Sequence, residues 1–382
     1  MMIMAWVLLL SGVLFNQALD LPTDWGDVEA FGVAEQRHAP VLIVGEGWTV
    51  GVWVSADESD TYHTLRRWDR DGLGEEKRLP ILTAFPQNHQ VVSTQMGLHH
   101  LLWLDGEPSE PLAGLRLWGV MVRQVNQSPD ITRGAFIVND YPIFDFDAVT
   151  DGEGGAWVFF NSLPLAEPNL YAQHLDREGR PRTPTYLIGG ANHPRAVRLE
   201  DGTIRIFWHN PLTGKLLSGE FVADQLTNIQ THLTVPTLDK TDLLDDVHIA
   251  VDQTHYTIFW NITRFAESRS ETFFSTARRD DLTTWTTPQR LMTDDVPLAW
   301  ASPVQGENIP ERLMVGALLG NEIGIISMQD GSVIDYQNVI ALGESRLVGS
   351  LYLTTTPDGR LTLSWSHLSP TGATMSVIRQ HD

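Results

Sequence analysis

The sequence predicts an all-β protein, a seven-bladed β-propeller built of four-stranded antiparallel blades. Three observations carry that expectation. An apolar strand pattern ending on a large aromatic recurs along the 382 residues at intervals of about fifty, the spacing of a unit made of several short strands. Gly, Asp-Gly and Glu-Gly turn signals break each unit into hairpins, as in WDRDGLGEEKRLPIL (68–82) and HLDREGRPRTPTYLIGG (174–190). The final unit shows only three strand candidates, while an unclaimed one stands at the other end of the chain.

In order, the marker strands read GWTVGVWVS around Trp53, LHHLLWLD around Trp103, GAWVFFN around Phe160, GTIRIFWHN around Trp208 and HYTIFWN around Trp260. ERLMVGALLGN (311–321) keeps the strand with small Ala317 in the ring position, and GRLTLSWSH around Trp365 completes the series. Because the Ala317 unit lacks its ring, six blades with one irregular insertion is the alternative count. Outer strands are expected at EKRLPIL, RGAFIV, PTYLIG, QTHLTV, PQRLM and YQNVIAL. After Arg346–Leu353, Arg360–Trp365 and Ala373–Arg379 the last unit lacks a fourth strand, and VEAFGVA (28–34) supplies it. That pairing closes the ring and removes the sheet edges an open array would expose.

Residues 1–18, MMIMAWVLLLSGVLFNQA, carry no charge and read as a secretory signal cut after Ala18, too short and too early for a comfortable span. An uncleaved anchor is the alternative. Residues 19–382 then form one propeller domain, secreted, periplasmic or held at the cell surface, with no membrane span after cleavage. There is no cysteine, which excludes disulfides, thiolate nucleophiles and Cys-based zinc sites. With 48 acidic against 26 basic residues the formal charge is −22, so nucleic acid is excluded as a partner, since such binding draws its affinity from Lys and Arg on phosphates. No cofactor is expected.

Counting back fifteen residues from each marker reaches the start of the innermost strand, where a propeller offers side chains to the mouth of its axial channel. The count lands on His38, Asn88 beside His89, Asp145, His193, Asp245 and Ser350. A polar ring there suits ligand binding or acid/base chemistry. The same residues are also ordinary turn formers, whose side chains bond nearby backbone. Imidazoles and carboxylates together suit a divalent cation, but no metal-binding spacing supports one and no metal is expected. Asp145 and Asp245 form a candidate carboxylate pair for glycoside hydrolysis, with Asp242 and Asp246 crowding Asp245 or simply forming a solvated acidic turn.

The run RRDDLTTWTTPQRL (278–291) resembles the Asp-box of the sialidase-like superfamily: Asp280, Thr284 and Trp285 match, while Arg278 and Leu282 depart from the pattern. The resemblance implies a structural hairpin whose Asp bonds turn backbone and whose Trp packs between strands. Gln36-Arg37-His38-Ala39-Pro40 looks like the arginine–proline element that opens the first blade of sialidases, which implies Arg37 as a clamp for a substrate carboxylate. Arg195 and Arg346 lie near other blade starts at different offsets, and no Tyr stands beside a Glu in the register of that family's nucleophile pair. The expectation is therefore an exported, monomeric sialidase-like propeller that binds a glycan or protein ligand through Arg37, His38, His89, Asp145, His193 and Asp245. The alternative is a glycoside hydrolase using Asp145 and Asp245 or an Arg37 clamp.

Overall fold

Each repeat of the sequence becomes one sheet in the computed structural model. The described residues run from Trp25 to Gln380, apart from 35–39, 46, 58–59, 84–85, 95–96, 107–113, 126–127, 132–135, 140–141, 163–167, 236–241, 265–268, 292–297, 304–310, 348–350, 357–358 and 370–371. Among them there is no helix, and none long and apolar enough to cross a membrane. The segment read as a signal lies outside them.

Seven antiparallel sheets make seven blades, so the six-blade count is set aside. Their inner strands are Val41–Gly45, Gln87–Ser93, Ile143–Thr150, Asn192–Arg198, Asp242–Val251, Leu298–Pro303 and Tyr352–Thr355. Each packs against the next, and the last against the first, which closes a ring around the channel. The marker strands lie second in every blade, from Trp48–Ala56 in blade 1 to Leu361–Ser369 in blade 7. The end of the channel at which the inner strands begin is its mouth.

Alternation along each marker strand explains the core. The marker faces the preceding blade and the residue before it faces the following one, because successive side chains of a strand point to opposite faces. The result is a separate apolar cluster at every blade interface. Across those interfaces bulk is shared between the two sides. Ala317, in the place of a ring, sits in a cluster to which blade 5 brings Phe259 and Phe274. A missing ring in one blade is thus compensated by two in its neighbour, as close packing requires.

The N-terminal strand forms at Glu29–Val33 and pairs with Gly372–Arg379, completing blade 7, and Trp25 adds a bridge to Gln380. Phe31 packs on Trp53 and Trp68. A side chain on Gly32 would lie 2.5 Å from the Trp53 ring. Backbone oxygens of this strand accept the Trp53 indole N–H at Val33 (3.1 Å) and an Arg66 N–H at Phe31 (2.7 Å), which ties the last blade to the first.

Candidate functional site

The inner strand of each blade is hydrogen-bonded along one edge only, so the other edge presents backbone N–H and C=O groups to the channel without a strand partner. In three successive blades one ladder position answers this need. Gln90, Asp147 and Arg195 stand opposite Leu102, Phe159 and Phe207, the residues just before the markers. Gln90 bonds the edge of blade 3, its amide N–H donating to Phe146 O (3.1 Å) and its amide oxygen accepting Ala148 N (3.0 Å). Asp147 accepts Ala196 N of blade 4 at 2.6 Å. Arg195 donates to Val247 O of blade 5. Side-chain chemistry decides what each clip grips: an amide takes both backbone groups, a carboxylate only the N–H, a guanidinium only the C=O.

Asp145 lies two residues before Asp147 on the same side of the strand, buried, and it gathers four donors. Oδ1 accepts Phe146 N (2.9 Å) and Asn88 Nδ2 (3.4 Å), and Oδ2 accepts Arg195 Nη1 (3.0 Å) and His193 Nδ1 (3.1 Å). Its own N–H donates to Asn161 Oδ1 (2.7 Å), and Asn161 Nδ2 reaches Asn192 Oδ1 (2.7 Å). Side chains from blades 2 and 4 are thereby fixed to one carboxylate of blade 3.

The backbone around Asp145 is distorted in a repeated way. The inner strands of blades 2 to 6 all carry a register irregularity at their mouth end, bracketed by Gln87/Gln90, Ile143/Asp145, Asn192/Arg195, Leu244/Asp246 and Leu298/Trp300. Bulges of this kind re-aim side chains and are common beside functional sites. Asn88 and His193, which hold Asp145 from either side, both adopt left-handed φ, at 51° and 48°. For residues other than glycine that conformation costs roughly 1 to 3 kcal/mol and persists where the surroundings enforce it. Phe144, the bulge residue of blade 3, is 52 % exposed, and Leu243 of blade 5 is 49 % exposed.

The other sequence candidates fall as follows. His89 joins the mouth of blade 2, its Nε2 2.8 Å from Nε2 of His63, which packs on the Trp103 ring at 4.5 Å. Burial drives the His63 imidazole down to about 3, so it is neutral at ordinary pH. Asp245 is the bulge residue of blade 5; its neighbour Asp246 pairs with Asn261, the register of Asp145 opposite Asn161. The turn of blade 5 is one residue shorter than that of blade 3, and a fixed count back from the marker therefore lands one residue early. Arg37, His38 and Ser350 lie outside the described residues. Of the remaining arginines near blade starts, Arg195 enters the Asp145 cluster while Arg346 is exposed in blade 7. Among the described residues no three His, Asp or Glu side chains gather as a metal site.

Sequence reasoning missed Asp147 and Gln90. The signal for Asp147 was the alternation in Phe144-Asp145-Phe146-Asp147, which places both carboxylates on one side of a strand. Burial raises the Asp147 carboxyl to about 6 against the opposing pull of Arg195 and of two backbone N–H groups. The residue as a whole keeps some exposed surface, but protein encloses its carboxyl. His209, on the marker strand of blade 4, is driven down to about 4 by burial and by nearby His193.

In the 278–291 hairpin, Asp281 rather than Asp280 bonds the turn, accepting Thr283 N at 2.9 Å. Asp280 forms an exposed ion pair with Arg278 instead. Trp285 packs against His232 of blade 4 with ring centroids 5.2 Å apart, and its indole donates to Leu282 O (3.0 Å).

No protein-family model and no curated protein matches the chain. Solved structures of similar architecture include a polysaccharide lyase, Uly1, at 11 % identity and a TM-score of 0.56, covering 90 % of this chain and 89 % of that one. A protein of unknown function from Dyadobacter fermentans DSM 18053 aligns at 10 % identity and a TM-score of 0.53 over 93 % and 99 % of the two chains. The Hadza microbial sialidase Hz136 aligns at 14 % identity and a TM-score of 0.49 over 82 % and 72 %. The likeness to sialidase-like proteins is one of β-propeller architecture alone.

Proposed function

We propose that the protein is an exported, monomeric propeller that binds a glycan at the channel mouth, on the arc formed by blades 2 to 4. The observation that carries this reading is the grip on Asp145 by two residues in strained backbone, Asn88 and His193, beside the exposed ring of Phe144. Strain concentrates where function needs a group held in one place. An exposed aromatic next to fixed polar groups is also what a sugar requires, with one apolar face and hydroxyls around its rim. A polysaccharide lyase among proteins of like architecture agrees with a carbohydrate ligand, although fold alone implies no activity.

Binding is favoured over hydrolysis by the state of Asp145. A carboxylate that already accepts four donors and pairs with a guanidinium has little capacity left to exchange a proton with a substrate. The test is a glycan array together with chromogenic glycosides on the purified protein and a Phe144→Ala variant. Binding without turnover, lost in the variant at an unchanged melting temperature, is the expected result. Binding that survives Phe144→Ala would remove the mouth from consideration, and silence on every glycan would turn attention to a protein ligand.

A further inference from the structure

Building on the glycan-binding reading, we infer that the mouth recognises an uncharged sugar hydroxyl through His193 Nε2 and discriminates against a carboxylate or sulfate at that position. Oδ2 of Asp145 accepts Arg195 Nη1 at 3.0 Å, so it faces His193 Nδ1, 3.1 Å away, as an acceptor. Nδ1 must then carry the proton, and in the neutral ring Nε2 carries the lone pair. The left-handed backbone of His193 holds the ring at the strand start, and its side chain keeps a fifth of its surface exposed. A partner approaching Nε2 has to donate a hydrogen bond, which a hydroxyl does and an ionised carboxylate or sulfate cannot.

Arg195 reinforces the same selection. In a carboxylate-binding site a guanidinium offers its paired N–H groups to the ligand. Here Arg195 is 9 % exposed and donates to Asp145, Val247 O and Pro194 O. The cation that blade 4 brings to the mouth is thus spent inside the protein, on a chain of net charge −22 that repels anions at long range. Asp147, the next carboxylate along the strand, adds negative character when ionised.

Two measurements test this. In the free protein, nitrogen-15 NMR of the His193 ring at pH 7.5 should show Nδ1 protonated and Nε2 bare; the opposite tautomer overturns the inference without any ligand. On an array pairing neutral glycans with their sialylated, uronate and sulfated counterparts, neutral members should bind at least ~10-fold tighter, about 1.4 kcal/mol. His193→Arg, which replaces the acceptor with a donor, should narrow or reverse that ratio. A preference of the native protein for anionic glycans, or a ratio unmoved by His193→Arg, overturns the inference and leaves glycan binding standing. Absence of binding to either class overturns both.

Discussion

The seam between blades 7 and 1 and the arc from blade 2 to blade 4 both join neighbouring sheets over an apolar cluster, but they differ in what is added to it. At the seam the contact is apolar and close: Phe31, Trp53, Met375 and Val377 are buried in one cluster, and Gly32 clears space for the Trp53 ring. Along the arc the inner strands are linked by Gln90, Asp147 and Arg195, each reaching the backbone of the next blade. Burial of apolar area is non-directional and suits a joint that only has to hold. Hydrogen bonds are directional, and a buried charge tolerates no loss of its partners, which suits a region that has to place groups accurately. The difference separates the part of the ring that closes the fold from the part where we propose that a ligand binds.

Removing the seam should have the largest effect. Deleting residues 20–34 takes away Trp25 and the strand that completes blade 7, exposing a sheet edge. Aggregation or loss of the cooperative melt is the expected result, read by size-exclusion chromatography and circular dichroism. A monomeric protein with an unchanged melt would show that closure holds without this strand. Phe31→Ala, a milder cut at the same place, should cost about 3–5 kcal/mol in denaturant unfolding, the usual loss for a fully buried phenylalanine.

Arg195→Ala tests the arc. It leaves the buried Asp145 carboxylate without its guanidinium and Val247 O without its clip. A loss of about 3–5 kcal/mol is expected, and glycan binding should fall in protein that remains folded. A loss well under 1 kcal/mol would mean that the clips do not carry the joint between blades.

The smallest effect is a dependence on pH. His63, His99, His209 and His232 are held well below their ordinary 6.5, at about 3 or 4, chiefly by burial. The unfolded chain therefore binds more protons than the folded one as pH falls through 6.5, and stability is lost on the way down to about 4. Asp147 acts in the opposite sense. Its carboxyl is raised from 3.8 to about 6, so the folded state holds its proton longer and stability from this group is lost as pH rises from about 4 to about 6. Asp147→Asn should accordingly steepen the acid loss measured by denaturant melts between pH 6.5 and 4, and His63→Gln should make it shallower. Parallel curves for all three proteins would contradict the burial argument.

Much of the ring was legible in the sequence because its signals are local. A marker strand, its turn and its partner lie within a few residues of one another, and alternation of apolar residues records which faces are covered. Even the Ala317 blade kept its strand pattern, although the phenylalanines that offset its missing ring come from blade 5. The site was legible only in outline. Asp145, His89 and His193 were reached by counting, but the count slipped at Asp245, where a turn one residue shorter moves the ladder position to Asp246.

The blade repeat, the marker strands and the closure by residues 28–34 are all written in the chain, since each follows from the period of apolar residues and the supply of strands. Which polar groups meet depends on how the blades pack. Asn88, His193 and Arg195 lie 57, 48 and 50 positions from Asp145, and nothing local in the chain links them. They converge because adjacent inner strands start together at the mouth and bulges turn their first side chains toward one another. The state of Arg195, committed to Asp145 rather than open to a ligand, is a product of that convergence.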